Sequence, residues 1–156
     1  MARIVLPNGT ECYMKRDRIS LTYFESGVDS LIDHLNHFLG VEYLWGGTTP
    51  YGFDCSGLLY RVGRMHGYDL SRDSADQALQ DVEVEEPQRG DMLFFGSGER
   101  ITHVALYLGG EKMIHAAGSG GGSRVTVSFL RDYEDIVGYK QEGVLMSAHP
   151  GINKIR

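Results

Sequence analysis

Three observations predict an α+β chain in which helices are segregated from an antiparallel sheet. Apolar residues recur at helical spacing in the first part of the chain, and runs rich in β-branched and aromatic residues follow from Met92 onward. Gly109-Gly110 then separates two of those runs in the manner of a tight hairpin turn. With 156 residues, 42% of them hydrophobic, the chain can bury a core without help from disulfides or metal.

Residues 1–24 read as an N-terminal extension, with two short strands between Arg3 and Met14 across a Pro7-Asn8-Gly9 turn. From Asp29, the stripe Leu31, Ile32, Leu35, Phe38 and Leu39 predicts an amphipathic helix with His34 and His37 on its solvated side. Gly46, Gly47, Pro50 and Gly52 make a turn-rich approach to a second helix, whose apolar face is Leu58, Leu59, Val62 and Met65. Cys55 precedes Leu58 and Leu59 by three and four residues, so it starts that face, and Asp54 is placed to cap it. Arg72-Asp73-Ser74 reads as the start of a further short helix, capped by Asp73 or Ser74. Met92 to Phe95 is a short buried strand after the Gly90-Asp91 turn. Ile101 to Leu108 and Lys112 to Ala116 form the hairpin, and Val125 to Val127 and Ile136 to Tyr139 are further strands. Gly118 to Ser123 is a solvated loop or, on a sharper reading, part of a cleft rim; residues 142–156 read as a polar tail.

The chemistry centres on Cys55. A thiol at a helix N-terminus feels the positive end of the helix dipole and unpaired N–H groups, which favour thiolate. The competing reading is a buried structural cysteine. Nucleophilic catalysis also needs a base and a group that orients it, and His103 and His115 lie on the two arms of the predicted hairpin. Adjacent antiparallel strands bring such side chains together, placing the thiol on a helix and both histidines on the sheet facing it. Tyr43 and Trp45 read equally as core aromatics or as site residues, with packing the simpler account of Trp45.

The segments Tyr43-Leu44-Trp45-Gly46-Gly47, Phe53-Asp54-Cys55-Ser56-Gly57-Leu58, Arg72-Asp73-Ser74 with Gln77, Arg89-Gly90-Asp91-Met92-Leu93-Phe94-Phe95, His103-Val104-Ala105 and Ile114-His115-Ala116 occur in this order. Together they resemble the NlpC family of papain-like cell-wall cysteine peptidases, over a catalytic domain placed at residues 25–141. The resemblance implies a papain-like NlpC fold, with Cys55 as nucleophile, His103 as base, His115 as its orienting partner and the Tyr43 hydroxyl at the oxyanion. It implies hydrolysis of the γ-D-glutamyl-diamino acid bond in peptidoglycan stem peptides or their fragments. Asp54, Ser56, Asp73, Ser74 and Trp45 then fall on the substrate, with Ser56 and Ser74 toward D-glutamate and Asp73 toward the amine of L-alanine. The N-terminal strands resemble the last hairpin of the small β-barrel modules that precede such domains.

Other readings remain. Cys55, His103 and His115 could ligate zinc, but no closely spaced pair and no fourth ligand accompany them, so no metal or cofactor is expected. The same Cys-His chemistry serves amidases and acyltransferases, and the same fold could bind wall material without catalysis. A net charge of −6 argues against nucleic acid. No apolar run is long enough to span a membrane, and no secretory signal is recognisable. A wall enzyme would then have lost its signal, whereas a cytoplasmic one would act on imported wall peptides. Cys12 and Cys55 are both expected to be free, since a disulfide would silence the nucleophile.

Overall fold

The computed structural model describes the chain except for residues 7, 81–83, 85, 98–99, 119–121, 134–143 and 148–156. Strands β1 (Ala2–Val5) and β2 (Glu11–Met14) pair as a separate antiparallel hairpin around Gly9, whose positive φ suits glycine. Helix α1 (Val28–Asn36) buries Leu31, Ile32 and Leu35. The two-residue strands β3 (Thr48–Thr49) and β4 (Gly52–Phe53) then lead into helix α2 (Cys55–Met65). Helix α3 (Ser74–Gln80) follows, with Gln77 buried. Strands β5 (Met92–Ser97), β6 (Arg100–Gly109), β7 (Lys112–Ala117), β8 (Arg124–Phe129) and β9 (Val144–Ser147) form a 5-stranded sheet in the order β8-β7-β6-β5-β9. All its pairings are antiparallel.

Strand alternation divides the sheet into two faces. Met92, Phe94, Val104, Leu106, Ile114 and Ala116 pack with Leu31, Leu35, Leu58 and Val62 of α1 and α2 into the main core. Leu93, Phe95, Ala105 and Met113 make a smaller cluster with Tyr133, which follows a 3-10 turn at Leu130–Asp132. His103 and His115 share the parity of Ala105 and Met113, so their side chains do not project into the α1–α2 core. Among the described residues, no helix is long and apolar enough to cross a membrane.

Several expectations are revised. Residues 142–156 are not wholly a tail, because Val144–Ser147 adds a strand along β5. That strand has only three apolar residues in a row, too short a run to separate from polar surroundings by pattern. The strand expected from Ile136 to Tyr139 lies outside the described residues. His37 is exposed, as its place on the helix required, but His34 is half-buried and its Nδ1 lies 3.0 Å from Nε2 of the buried His66. His66 Nδ1 is in turn 2.8 Å from the Glu25 carbonyl. This tie joins α1 to the end of α2 across 32 residues, a pairing that helical spacing cannot reveal.

Candidate active site

Asp54 starts the site. Its backbone is extended at the α2 N-cap and its Oδ1 accepts from Gly57 N at 2.7 Å. The other oxygen accepts from Gly46 N at 2.8 Å, so one carboxylate ties the glycine approach to the helix end. Arg72 completes the arrangement with a bidentate clasp, Nη1 to Oδ1 at 3.0 Å and Nη2 to Oδ2 at 2.6 Å, and Nη1 also donates to Ser56 Oγ at 3.0 Å. Gln77 adds a donor to the Ser56 carbonyl at 3.2 Å. Both sides of the Cys55 peptide are thereby fixed before the thiol is considered.

Cys55 is 8% exposed and reaches β6 at the backbone of Val104, the neighbour of His103. Burial pushes its thiol pKa up, against the N–H groups of Val104, Ser56 and Cys55 itself, while the Asp54 charge adds to the rise. Burial therefore opposes the expected thiolate, while the N–H groups at the helix end act in its favour. His103 is moved the opposite way, well below the usual imidazole value, by burial first and by His115 second. Both shifts favour a neutral thiol beside a neutral imidazole.

The imidazoles form a relay. Leu106 stands opposite Ile114, so His115 reaches His103 diagonally, with His103 Nε2 and His115 Nδ1 2.8 Å apart and the rings edge to face at 79°. His115 Nε2 lies 3.0 Å from Ser128 Oγ on β8. For His103 Nδ1 to be free as a base, Nε2 must carry the proton and donate to His115, which then donates from Nε2 to Ser128. Burial lowers the His115 pKa to about 4, so it stays neutral and fit for that tautomer at physiological pH.

Tyr43 is half-buried, and burial with the nearby Cys55 and Asp54 charges raises its pKa to about 12, which keeps its hydroxyl a donor. Gly118 lies against its ring: a Cβ there would come within 3.2 Å of Cζ. Trp45 is 86% exposed, which overturns the packing reading. Asp73 is largely exposed with Arg72 at 3.8 Å, and its carbonyl accepts from Gln77 N at the start of α3. Ser74 is half-buried. Cys12 and Cys55 are free. No group of three or more metal-ligating side chains occurs among the described residues.

Four contributors escaped sequence reasoning. Arg72 was visible beside Asp73, but nothing in spacing reveals that it closes on Asp54. Ser128, the Val104 N–H and Tyr133 gave no signal, because each acts through strand pairing or ring contact with residues distant in the chain.

The model of the NlpC/P60 family matches residues 40–135, which spans the thiol, both histidines and Tyr133. The chain belongs to the NlpC/P60 family. It is 37% identical over 117 residues to the gamma-D-glutamyl-L-lysine dipeptidyl-peptidase of Bacillus subtilis, covering 72% of this chain and 40% of that protein. The enzyme of the same name from Bacillus cereus is 36% identical over 127 residues, 73% of this chain and 37% of the relative. This NlpC/P60 chain thus spans about two fifths of those relatives' length. A crystal structure of an NlpC/P60 family protein from Bacillus cereus superposes with a TM-score of 0.74 at 30% identity, over 96% of this chain and 50% of that one.

Proposed function

We propose that the protein is a cysteine peptidase that hydrolyses the γ-D-glutamyl-diamino acid bond of peptidoglycan stem peptides or their fragments. The observation that carries this reading is a thiol at a helix end, packed at the Val104 backbone near His103, whose Nε2 is tied through His115 to Ser128. It is supported by two relatives whose names specify γ-D-glutamyl-L-lysine as the linkage.

In this mechanism the Cys55 proton passes to His103 Nδ1 as sulfur adds to the γ-carbonyl carbon of D-glutamate. The oxyanion accepts from the Cys55 N–H and the Tyr43 hydroxyl, each donor worth ~3 kcal/mol in comparable sites. The imidazolium returns its proton to the diamino acid nitrogen, the C–N bond breaks, and an S-acyl enzyme remains. Water then attacks the thioester, His103 takes its proton, and the thiol is restored as the carboxylate leaves. Asp54 acts here as a positioning residue, since Gly46, Gly57 and Arg72 occupy both its oxygens. Ser74, Asp73 and the exposed Trp45 are left for the substrate, whereas the buried Ser56 hydroxyl is engaged by Arg72 and Asp54.

Mass spectrometry of products from defined L-Ala-γ-D-Glu-diamino acid peptides tests the reading. Scission after D-glutamate by the wild type, absent in Cys55→Ala, is expected. Release of ammonia or transfer of the acyl group to an added amine, without water-dependent scission, would favour the amidase or acyltransferase instead.

A further inference from the structure

His103 is held from two directions. His115 fixes its edge, and Tyr133 covers its face with ring centroids 5.3 Å apart and planes inclined by 24°. Tyr133 is itself backed by Phe95, at 4.1 Å and 27°, and is only 2% exposed. Its ring therefore has no room to turn away from the imidazole.

Tyr133 offers two things, a hydroxyl and a ring face. The hydroxyl is buried and has no hydrogen-bond partner among the described residues. The ring face, in contrast, lies against the group that must gain a positive charge when the thiol gives up its proton. That charge forms in a place where burial opposes it, and His115, already neutral, offers only a hydrogen bond. A π-face within about 6 Å of a cation attracts it through the ring quadrupole, and more strongly where water is excluded.

We infer that Tyr133 is a positioning residue whose ring stabilises the His103 imidazolium formed as the S–H bond of Cys55 breaks and the N–H bond on His103 forms. The inference rests on the peptidase reading for its consequence in turnover, though not for the proton transfer itself. The titratable groups against His103 are His115 on β7 and Tyr133, Cys55 on α2 and Tyr43 act on Tyr133 itself, and the Phe95 ring on β5 is neutral.

The test reads two quantities against pH: kcat/KM on a γ-D-glutamyl peptide, and the rate of Cys55 alkylation by iodoacetamide, which follows the thiolate and needs no peptide. Tyr133→Phe keeps the face and should leave both within about twofold of wild type, with no shift of the acid limb. Tyr133→Leu should lower kcat by about tenfold with little change in KM. Phenylalanines carrying progressively more ring fluorines, introduced at position 133, keep the shape and weaken the quadrupole. Alkylation rate and kcat should fall stepwise along that series while the acid limb moves to lower pH, since imidazolium becomes harder to form. Rates and limb that ignore fluorination would overturn the inference, as would a Tyr133→Phe variant as impaired as Tyr133→Leu. If Tyr133→Leu does not fold, the fluorinated series still decides. A wild type that alkylates as described but cuts no peptide would sink the peptidase reading alone.

Discussion

Burial sets the charge states of the reacting residues. Because Cys55 is pushed up and His103 well down, kcat/KM should hold level from below pH 6.5 to above pH 9.0, the ordinary values of the two groups. A resting ion pair would instead place its alkaline limit at a raised imidazole value, and thiolate absorbance at neutral pH would reveal it. His115 has a linked effect on stability. Its folded-state pKa of about 4 lies below 6.5, so between those values the unfolded chain binds more protons and stability rises with pH. The contribution is intact above pH 6.5 and lost toward pH 4, on the order of 3 kcal/mol. Urea denaturation across that window should show the loss in wild type and a smaller one in His115→Asn; equal losses would remove His115 as the source. Arg72 carries a third expectation. Arg72→Met leaves the Asp54 carboxylate, 10% exposed, without its cation, which should cost about 2 kcal/mol and most of the turnover. Full activity and an unchanged Tm would mean that the clasp does not position Cys55.

At the scale of elements, α2 is anchored by a close approach that excludes a side chain. A Cβ on Gly57 would fall 2.1 Å from the Gly47 carbonyl oxygen and 2.7 Å from Asp54 Oδ1. Replacing glycine by alanine inside a helix normally stabilises by about 1 kcal/mol. Gly57→Ala should do the reverse, lowering stability by more than about 2 kcal/mol and displacing the thiol, as thermal unfolding and turnover would report. A stabilised Gly57→Ala variant would refute this packing. The same comparison shows what the sequence could and could not convey. Periodicity located α1, α2 and the β6–β7 hairpin, and the Asp54-Cys55 junction announced a cap followed by a thiol, because those signals are local. The diagonal reach from His103 to His115, the Ser128 end of the relay, the His34–His66 tie and the closure of Arg72 on Asp54 depend on which strands and helices become neighbours. No spacing within one element encodes that. Trp45 misled for a related reason: a large ring beside glycines suggests a core, but here the Gly46 and Gly47 turn lifts it into solvent.

For the whole molecule, the question is what enters beside the thiol. Asp73 stands near the start of α3 with its carboxylate mostly exposed and Arg72 already at 3.8 Å, so an ion pair with a substrate amine would be screened. Asp73→Asn should reduce kcat/KM for peptides with a free L-alanine amine by about fivefold, corresponding to about 1 kcal/mol, and leave amine-blocked peptides unchanged. Equal losses on both would assign Asp73 to the helix start instead. The central claim, that Cys55 forms an acyl bond with the γ-carboxyl of D-glutamate, is tested most directly by acid-quenching the enzyme during turnover and mapping the adduct by mass spectrometry. The account predicts an L-alanyl-D-glutamyl mass on the peptide containing Cys55, absent from Cys55→Ala. An adduct on any other residue, or undiminished cleavage by Cys55→Ala, would contradict it.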